Sequence, residues 1–225
     1  MVLDAGSSLV GEASPALAGS GKHSVELMNR LGYDAAGIGP NDLMLGLSQL
    51  RERTAEAAFP FLSANTAASE DGSLVAAPFV LREIDGHRIA IAGLTGGQAG
   101  EAITVKDPLT SARNLLLELT AQADIIILLS QAGPEIDQQI ADLLPGYDLI
   151  IGGGGPALTE PLPGASGALL LRADQSSAYH AGRAVGIGEF TFETDGTIVR
   201  YSWQRRLLNP EIADDPEMAA WAAGQ

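Results

Sequence analysis

Residues 124–155 read DIIILLSQAGPEIDQQIADLLPGYDLIIGGGG, and this stretch decides the fold class. Residues 124–129 and 148–151 are almost wholly apolar, as expected of strands that are covered on both faces. Residues 135–144, which lie between them, are predicted to form a helix. Strands that alternate with helices predict sheets flanked by helices, so the chain is predicted to be an α/β protein.

The same alternation continues toward the N-terminus. A helix is predicted over residues 22–32, because apolar side chains recur there at helical spacing. Residues 34–38 and 59–63 are predicted to form strands. Between these two strands, Asn41 or Asp42 is expected to cap a further helix, since short polar side chains accept hydrogen bonds from the first helical amides.

Hairpins replace helices as connections in other parts of the chain. Asp85-Gly86 is a turn signal between predicted strands at residues 79–84 and 88–92. After the glycine run the sequence predicts mainly β structure, with strands at residues 168–171, 186–193 and 197–203. Asp215 and Pro216 predict the start of a short terminal helix. The sequence shows no internal repeat or linker, so residues 1–225 are predicted to form a single domain.

Composition excludes several classes of function. The formal net charge is -15, from 28 acidic and 13 basic residues, which argues against nucleic acid or an anionic membrane as a partner. The absence of cysteine rules out disulfides, thiolate metal sites and cysteine nucleophiles within these residues. No apolar run is long enough to predict membrane insertion, and no signal peptide is visible in this sequence.

Several phrases, in a fixed order, carry a resemblance to a known family. They are VELMNRLGYDA at residues 25–35, FPFLSAN at 59–65, RIAIAGLT at 88–95, PGYDLIIGG at 145–153 and DPE at 215–217. Together they resemble the metallophosphatase domain of the 5'-nucleotidase family, within the calcineurin-like phosphoesterases. This resemblance implies a four-layer α/β/β/α sandwich of mixed sheets, with a metal site at the loop ends of the two central sheets.

Two parts of the family pattern have no counterpart in these residues. The family's first strand carries an N-D-x-H-G motif, and this sequence starts after it. The second domain of the nucleotidases, which binds the nucleoside, also has no counterpart. Because the first strand would be central, we expect that a segment upstream of residue 1, or another segment, fills its place.

The metal-ligand motifs of the family are altered. It reads approximately L-D-A-G-D, G-N-H-E, L-S-H and G-G-H-S-H where this chain has LDAGS at residues 3–7, GPND at 39–42, LSQ at 129–131 and GGGGP at 152–156. The resemblance implies two divalent metal ions and a bridging hydroxide that attacks phosphorus. The ligand positions, however, carry Ser7, Pro40, Asn41, Gln131, Gly154 and Pro156. The sequence therefore predicts no catalytic residue, no metal ligand and no cofactor.

The chemistry of these side chains explains that prediction. Ser7 is a neutral hydroxyl where the resemblance implies a bridging aspartate, and a hydroxyl is a poor bridge between two cations. Pro40 has no side-chain donor atom, and Asn41 cannot serve as a general acid near neutral pH. Asp42 keeps the acidic position of the motif and is expected to act as a helix cap. Gln131 could offer an amide oxygen to a ligand.

Other residues leave alternatives open. Glycines 152–155 after a strand could bind an anion through backbone N–H groups, but no Lys-Ser or Lys-Thr follows them, and a shortened remnant of the family loop is favoured. His23, His87 and His180 could supply a relocated metal site, although they do not match ligand positions. An anion patch and an ordinary surface are both open interpretations of four arginines: Arg172, Arg183, Arg205 and Arg206.

The leading hypothesis is a catalytically degenerate domain that serves as a structural or protein-binding module. Its partners would be proteins or additional domains of a longer chain, and the resemblance suggests a periplasmic or extracellular assembly. The alternative is a metal-dependent phosphoester hydrolase with a relocated or upstream-completed site. A metal-free domain that binds a small ligand is a third possibility.

Overall fold

The computed structural model describes residues 1–10, 20–98, 100–174 and 183–224. The helices within them are α1 (Lys22–Arg30), α2 (Pro40–Leu43), α3 (Gly46–Glu56), α4 (Pro108–Leu119), α5 (Pro134–Leu143) and α6 (Pro216–Ala222). The strands of the first half are β1 (Leu3–Asp4), β2 (Ala35–Gly37), β3 (Phe61–Leu62), β4 (Thr66–Ala68), β5 (Phe79–Ile84), β6 (His87–Thr95) and β7 (Ile103–Val105). The later strands are β8 (Ile125–Gln131), β9 (Leu149–Gly152), β10 (Leu162–Pro163), β11 (Leu169–Leu171), β12 (Ala184–Phe192) and β13 (Ile198–Leu207).

The larger sheet has six strands in the order β10-β11-β9-β8-β6-β5. Its four central strands run parallel, while β5 and β10 are antiparallel at the two edges. Every residue of β8 is buried, which confirms the prediction that this apolar strand is covered on both faces. The side chains of Ile125, Ile127 and Leu129 face one side of the sheet, and those of Ile126 and Leu128 face the other.

The smaller sheet has three parallel strands in the order β1-β2-β3 and lies against the larger one. Helices α1 and α3 pack on its outer face through Val25, Met28 and Leu50. Helices α4 and α5 pack on the outer face of the larger sheet through residues such as Leu115 and Ile140. The layers are therefore helices, sheet, sheet and helices, which confirms the predicted α/β/β/α fold class.

The antiparallel hairpin β12–β13 completes the cover of the core between the sheets. Phe190, Phe192 and Trp203 turn their rings toward that core. Gly186 lies beneath the Trp203 ring and Gly188 lies against the Phe190 ring, and a Cβ at either position would overlap that ring. The rest of the hairpin is largely exposed, so most of its surface has no protein cover among the described residues.

Three local predictions needed correction or extension. The N-cap of α2 is Gly39, not Asn41 or Asp42, because Asp42 lies in the first turn and its side chain accepts the hydrogen bond of the Gly39 amide. Strand β6 extends beyond its predicted end at residue 92 to Thr95 and therefore includes Gly93. A Cβ at Gly93 would overlap the backbone of Leu62, which explains why glycine is needed there. The short strands β4 and β7 were not predicted.

Candidate functional site

The carboxyl ends of four strands, two from each sheet, meet at one edge of the sandwich. We call this group the four loops: residues 5–9 after β1, 38–42 after β2, 131–133 at the end of β8 and 153–156 after β9. Gln131 reaches across the two sheets, and its Nε2 donates to the carbonyl oxygen of Gly6 at 2.7 Å. The structure thus brings together the segments that the sequence had marked as altered motifs.

Gln131 is the central contact of this group. Only 7% of the residue is exposed. Gly153 lies against its amide so closely that a Cβ there would overlap Nε2. The other amide atom, Oε1, points toward Gly154, where a Cβ would lie 3.5 Å away. The glutamine therefore connects the first and last of the four loops and leaves one oxygen facing their junction.

Asp42 connects the loop after β1 with the loop after β2. Its side chain is fully buried and accepts three backbone N–H groups, from Ser7 at 3.0 Å, Leu9 at 2.9 Å and Gly39 at 2.8 Å. Burial raises the pKa of Asp42 to about 7, although the three N–H donors act in the opposite direction. Both carboxylate oxygens therefore accept hydrogen bonds from the backbone. In addition to the expected bond at the start of α2, Asp42 binds the loop after β1.

Ser7 occupies a backbone conformation that a serine rarely adopts. Its φ is 64°, in the left-handed region, where a non-glycine residue is strained by about 1 kcal/mol. The Ser7 amide is held by Asp42, and the Ser7 Oγ accepts a long hydrogen bond of 3.5 Å from the Asn41 amide. Asp4, at the end of β1, accepts from the Gly6 amide at 2.7 Å, and burial raises its pKa to about 6.

A buried ion pair lies under the glycine run and was not foreseen from the sequence. Arg172 is 3% exposed, and its Nη2 lies 3.1 Å from Oδ2 of Asp137 on α5. Ser130 donates to the other oxygen of Asp137 at 2.5 Å, and Arg172 Nη1 donates to the Pro156 carbonyl at 3.2 Å. The Nε of Arg172 has no partner among the described residues. Burial raises the pKa of Asp137 to about 6 against the effect of the arginine.

The sequence did contain a signal for this pair. Asp137 stands one helical turn before Ile140, on the face of α5 that packs into the core. A charged residue at such a position requires a partner, because an unpaired buried charge is strongly destabilising. The sequence could not identify Arg172 as that partner, since it lies 35 residues further along the chain.

The other residues that the sequence singled out either serve local structure in the four loops or lie away from them. Pro40 is the first residue of α2, and Pro156 is exposed and offers its carbonyl oxygen to Arg172. His23 is on α1, 4.0 Å from Glu26, and His87 starts β6 at the amino end of the larger sheet. His180 lies outside the described residues. Across residues 1–10, 20–98, 100–174 and 183–224, no group of three His, Asp or Glu side chains is placed to hold a metal ion.

The arginines of the possible anion patch do not form one free surface. Arg172 is enclosed by its ion pair, whereas Arg205 donates to the carbonyl of Ala173 and lies 4.0 Å from Asp174. Arg183 and Arg206 are exposed on and beside the hairpin. Apart from the buried carboxyl of Asp42, the polar side chains of the four loops are neutral: the hydroxyls of Ser7 and Ser8 and the amides of Asn41 and Gln131.

No protein-family model matches the chain. It is 31% identical over 209 residues to an uncharacterized metallophosphoesterase, YunD, of Bacillus subtilis, a match that covers 89% of this chain and 42% of YunD. It is 27% identical over 228 residues to a snake venom 5'-nucleotidase of Crotalus adamanteus, covering 89% of this chain and 38% of that protein. The chain thus spans about two fifths of the length of these relatives.

The structure is similar to that of a 5'-nucleotidase precursor from Thermus thermophilus. The TM-score is 0.79 and the sequences are 27% identical, and the match covers 98% of this chain and 48% of that one. Relatives in sequence and a neighbour in structure agree on one assignment. The chain is a metallophosphoesterase-like domain of the calcineurin-like, 5'-nucleotidase family.

Proposed function

We propose that this domain is catalytically degenerate and serves as a structural or protein-binding module of a larger extracytoplasmic assembly. The observation that carries the proposal is the contact between Gln131 and Gly6. A side chain at a ligand position of the family gives its donor group to a neighbouring loop at 2.7 Å. The side-chain amide of Gln131 thus joins the end of β8 to the loop after β1.

The charges near the four loops support the same conclusion. Two-metal catalysis needs anionic ligands that offset the repulsion between two cations. Asp42 is occupied by three backbone amides, and Asp137 is paired with Arg172. Loss of one member of a catalytic unit already lowers turnover by orders of magnitude. In this chain all four of the compared motifs have lost at least one metal ligand of the family pattern.

The surface that favours a protein partner is the hairpin β12–β13. Val185 and Ile187 lie on its outer face and are 42% and 43% exposed, while Leu207 is 54% exposed. Neither strand has a further partner strand within the part of the chain that the structure describes. Long strand edges with exposed apolar side chains are unusual on an isolated domain, because such edges pair readily with other chains. We place the proposed protein contact on this hairpin.

The proposed location rests on the relatives. One of them is by its name a venom protein, and we extend an extracytoplasmic location from it to this chain. A search of the described residues for helices long and apolar enough to cross a membrane found none.

A phosphoester hydrolase is the second candidate, and the relatives named as metallophosphoesterase and 5'-nucleotidase favour it. Because no group of three His, Asp or Glu side chains among the described residues is placed to hold a metal ion, part of its ligand set would have to come from residues 11–19 or 175–182, which include His180, or from outside residues 1–225. Such a site would need several hard oxygen or nitrogen ligands around the four loops.

Metal content and hydrolysis decide between the two candidates. We expect the purified natural polypeptide, after incubation with Mn²⁺ or Zn²⁺ and gel filtration, to retain far less than one metal ion per chain. We also expect no hydrolysis of p-nitrophenyl phosphate, bis-p-nitrophenyl phosphate or AMP above a buffer control. One or more retained metal ions together with turnover would establish the hydrolase and overturn the degenerate domain.

A further inference from the structure

Strand β13 has one edge that no other strand covers within the part of the chain that the structure describes. It pairs with β12, and the two strands form a sheet of their own. Among the described residues, no backbone hydrogen bond joins residues 198–207 to a strand other than β12. Alternate residues of such a strand direct their N–H and C=O groups away from its partner, so this edge can pair with a further strand.

The outer face of β13 at this edge is basic. The register of the hairpin gives that face four side chains from β13, which are Arg200, Ser202, Gln204 and Arg206. Arg200 and Arg206 are exposed, and neither makes an ion pair or a hydrogen bond with a described residue. Glu189 is the one acidic residue of the two strands, and it lies on β12 opposite Ser202, one strand away from the free edge.

The charge of β13 contrasts with that of the whole chain. This strand contains three arginines and no acidic residue, in a chain of 28 acidic and 13 basic residues. The net charge of -15 repels large polyanions such as nucleic acid or an anionic membrane before they reach a short basic strand. A short acidic segment of a protein carries less charge, and it is attracted by the arginines at close range.

A second copy of this chain is a poor occupant of the edge. If two β13 strands paired antiparallel about Trp203, Arg200 of each copy would lie opposite Arg206 of the other. Like charges directly opposite each other destabilise a pair of strands. The same two arginines that oppose self-pairing therefore favour a strand of opposite charge.

We infer that the free edge of β13 binds an extended acidic segment of a partner protein, which adds as a third strand to the hairpin. The backbone of that segment takes up the hydrogen-bonding groups that the edge leaves open, and its acidic side chains lie beside Arg200 and Arg206. These arginines are six positions apart on one face, so two acidic residues at the same spacing can meet both of them. The inference rests on the protein-binding part of the proposed function and adds the chemistry of the partner.

The test is fluorescence anisotropy of a labelled peptide, Ac-Glu-Val-Thr-Val-Thr-Val-Glu-NH₂, titrated with the natural polypeptide at low salt. Its glutamates have the required spacing, and its β-branched residues favour a strand. We expect saturable binding with a dissociation constant of about 10–100 µM, and binding about tenfold weaker or more for a peptide with lysine in place of both glutamates. The proposal is wrong if the two peptides bind equally, or if the glutamate peptide does not saturate by about 1 mM. A segment upstream of residue 1 that already occupied the edge would give that second result.

A third peptide, with proline in place of the central valine and threonines, separates strand addition from simple attraction of charges. It keeps both glutamates but cannot donate to a ladder, so it should bind about tenfold more weakly or not at all. Affinity equal to that of the parent peptide would contradict the addition of a strand.

Reversal of the two charges gives the matched pair of variants. Arg200→Glu/Arg206→Glu should lose about tenfold or more in affinity for the glutamate peptide and gain affinity for the lysine peptide. Arg82→Glu/Arg113→Glu is the control, because it makes the same change in net charge at exposed positions on β5 and α4. Both pairs are exposed, so we expect the variants to fold. Equal affinity of the two variants for the glutamate peptide would overturn the proposal.

The metal and hydrolysis test separates this inference from the proposed function. If the polypeptide retains no metal ion and does not bind the glutamate peptide, the degenerate domain stands and only the strand site on β13 is overturned. If it retains metal and hydrolyses a phosphoester but still binds the peptide with the expected charge preference, the degenerate domain is overturned and the strand site stands.

Discussion

Asp42→Asn tests whether burial or hydrogen bonding controls the acid at the centre of the four loops. Burial raises the pKa of Asp42 from 3.8 to about 7. A group whose pKa is higher in the folded state contributes stability that is fully present below about pH 4 and is lost as the pH rises through 7. A shift of roughly 3 pH units corresponds to about 4 kcal/mol of unfolding free energy, as an upper limit.

The asparagine variant should lack this pH dependence. The side chain of Asp42 accepts N–H groups on both of its oxygens, whereas asparagine keeps one acceptor oxygen and turns its NH2 donor toward at least one of the N–H groups of Ser7, Leu9 and Gly39. We therefore expect the variant to be less stable than the parent by about 1–3 kcal/mol at pH 5, because at least one buried N–H group loses its acceptor. Between pH 5 and pH 8 the parent loses the contribution of protonated Asp42 and the variant does not, whereas the contributions of Asp4 and Asp137 fall in both proteins. The stability deficit of the variant should therefore shrink or reverse by pH 8.

Urea unfolding at several values between pH 5 and pH 8 measures the difference as free energies of unfolding. Asp85→Asn, in the exposed turn between β5 and β6, controls for the loss of one negative charge from a strongly acidic chain. If Asp42→Asn is destabilised more at pH 8 than at pH 5, then the three N–H donors dominate over burial. In that case the reasoning about Asp42 is refuted.

Three other changes test contacts elsewhere in the core and the loops. Gln131→Leu removes the bond to Gly6 and should lower the free energy of unfolding by about 1–3 kcal/mol in urea unfolding, with no loss if the contact is not formed in solution. Arg172→Met should lower the free energy of unfolding by about 3–5 kcal/mol, because it leaves Asp137 buried and unpaired. The double variant Arg172→Met/Asp137→Leu should recover most of that loss, and additive losses of the two single variants would contradict the pairing. Asn65→Leu removes four buried hydrogen bonds between strand ends and should lower the thermal midpoint by several degrees or more, which calorimetry would detect.

Elements defined by local pattern were predictable from the sequence, whereas side-chain partners were not. The apolar run of β8, the Asp85-Gly86 turn and the Asp215 cap depend on neighbouring residues, and all are found as expected. Gln131, by contrast, bonds to Gly6 across 125 positions of sequence. Such a contact depends on how two sheets pack, and no periodicity or propensity reports on that.

Asp42 illustrates the same limit within a single motif. Its position near a helix start predicted a capping role, and the side chain does accept from the Gly39 amide. What the sequence could not show is that the same carboxylate also holds Ser7 and Leu9, more than 30 residues away. The bond to Gly39 could be predicted from local spacing. The bonds that connect Asp42 to the loop after β1 exist only because β1 lies beside β2 in the sheet.

The glycine run shows why a motif requires its surroundings before it can be interpreted. Gly152 leaves room for the ion pair of Asp137 and Arg172, Gly155 leaves room for the Pro134 ring and the Arg172 guanidinium, and Gly153 leaves room for the amide of Gln131. A Cβ at any of these positions would approach the neighbouring side chain more closely than packed atoms allow. Each of the three glycines is therefore accounted for by an internal neighbour, without a phosphate. The same reasoning predicts that Gly153→Ala would displace the amide of Gln131 and weaken its bond to Gly6, with a loss of unfolding free energy of about 1–3 kcal/mol in urea unfolding.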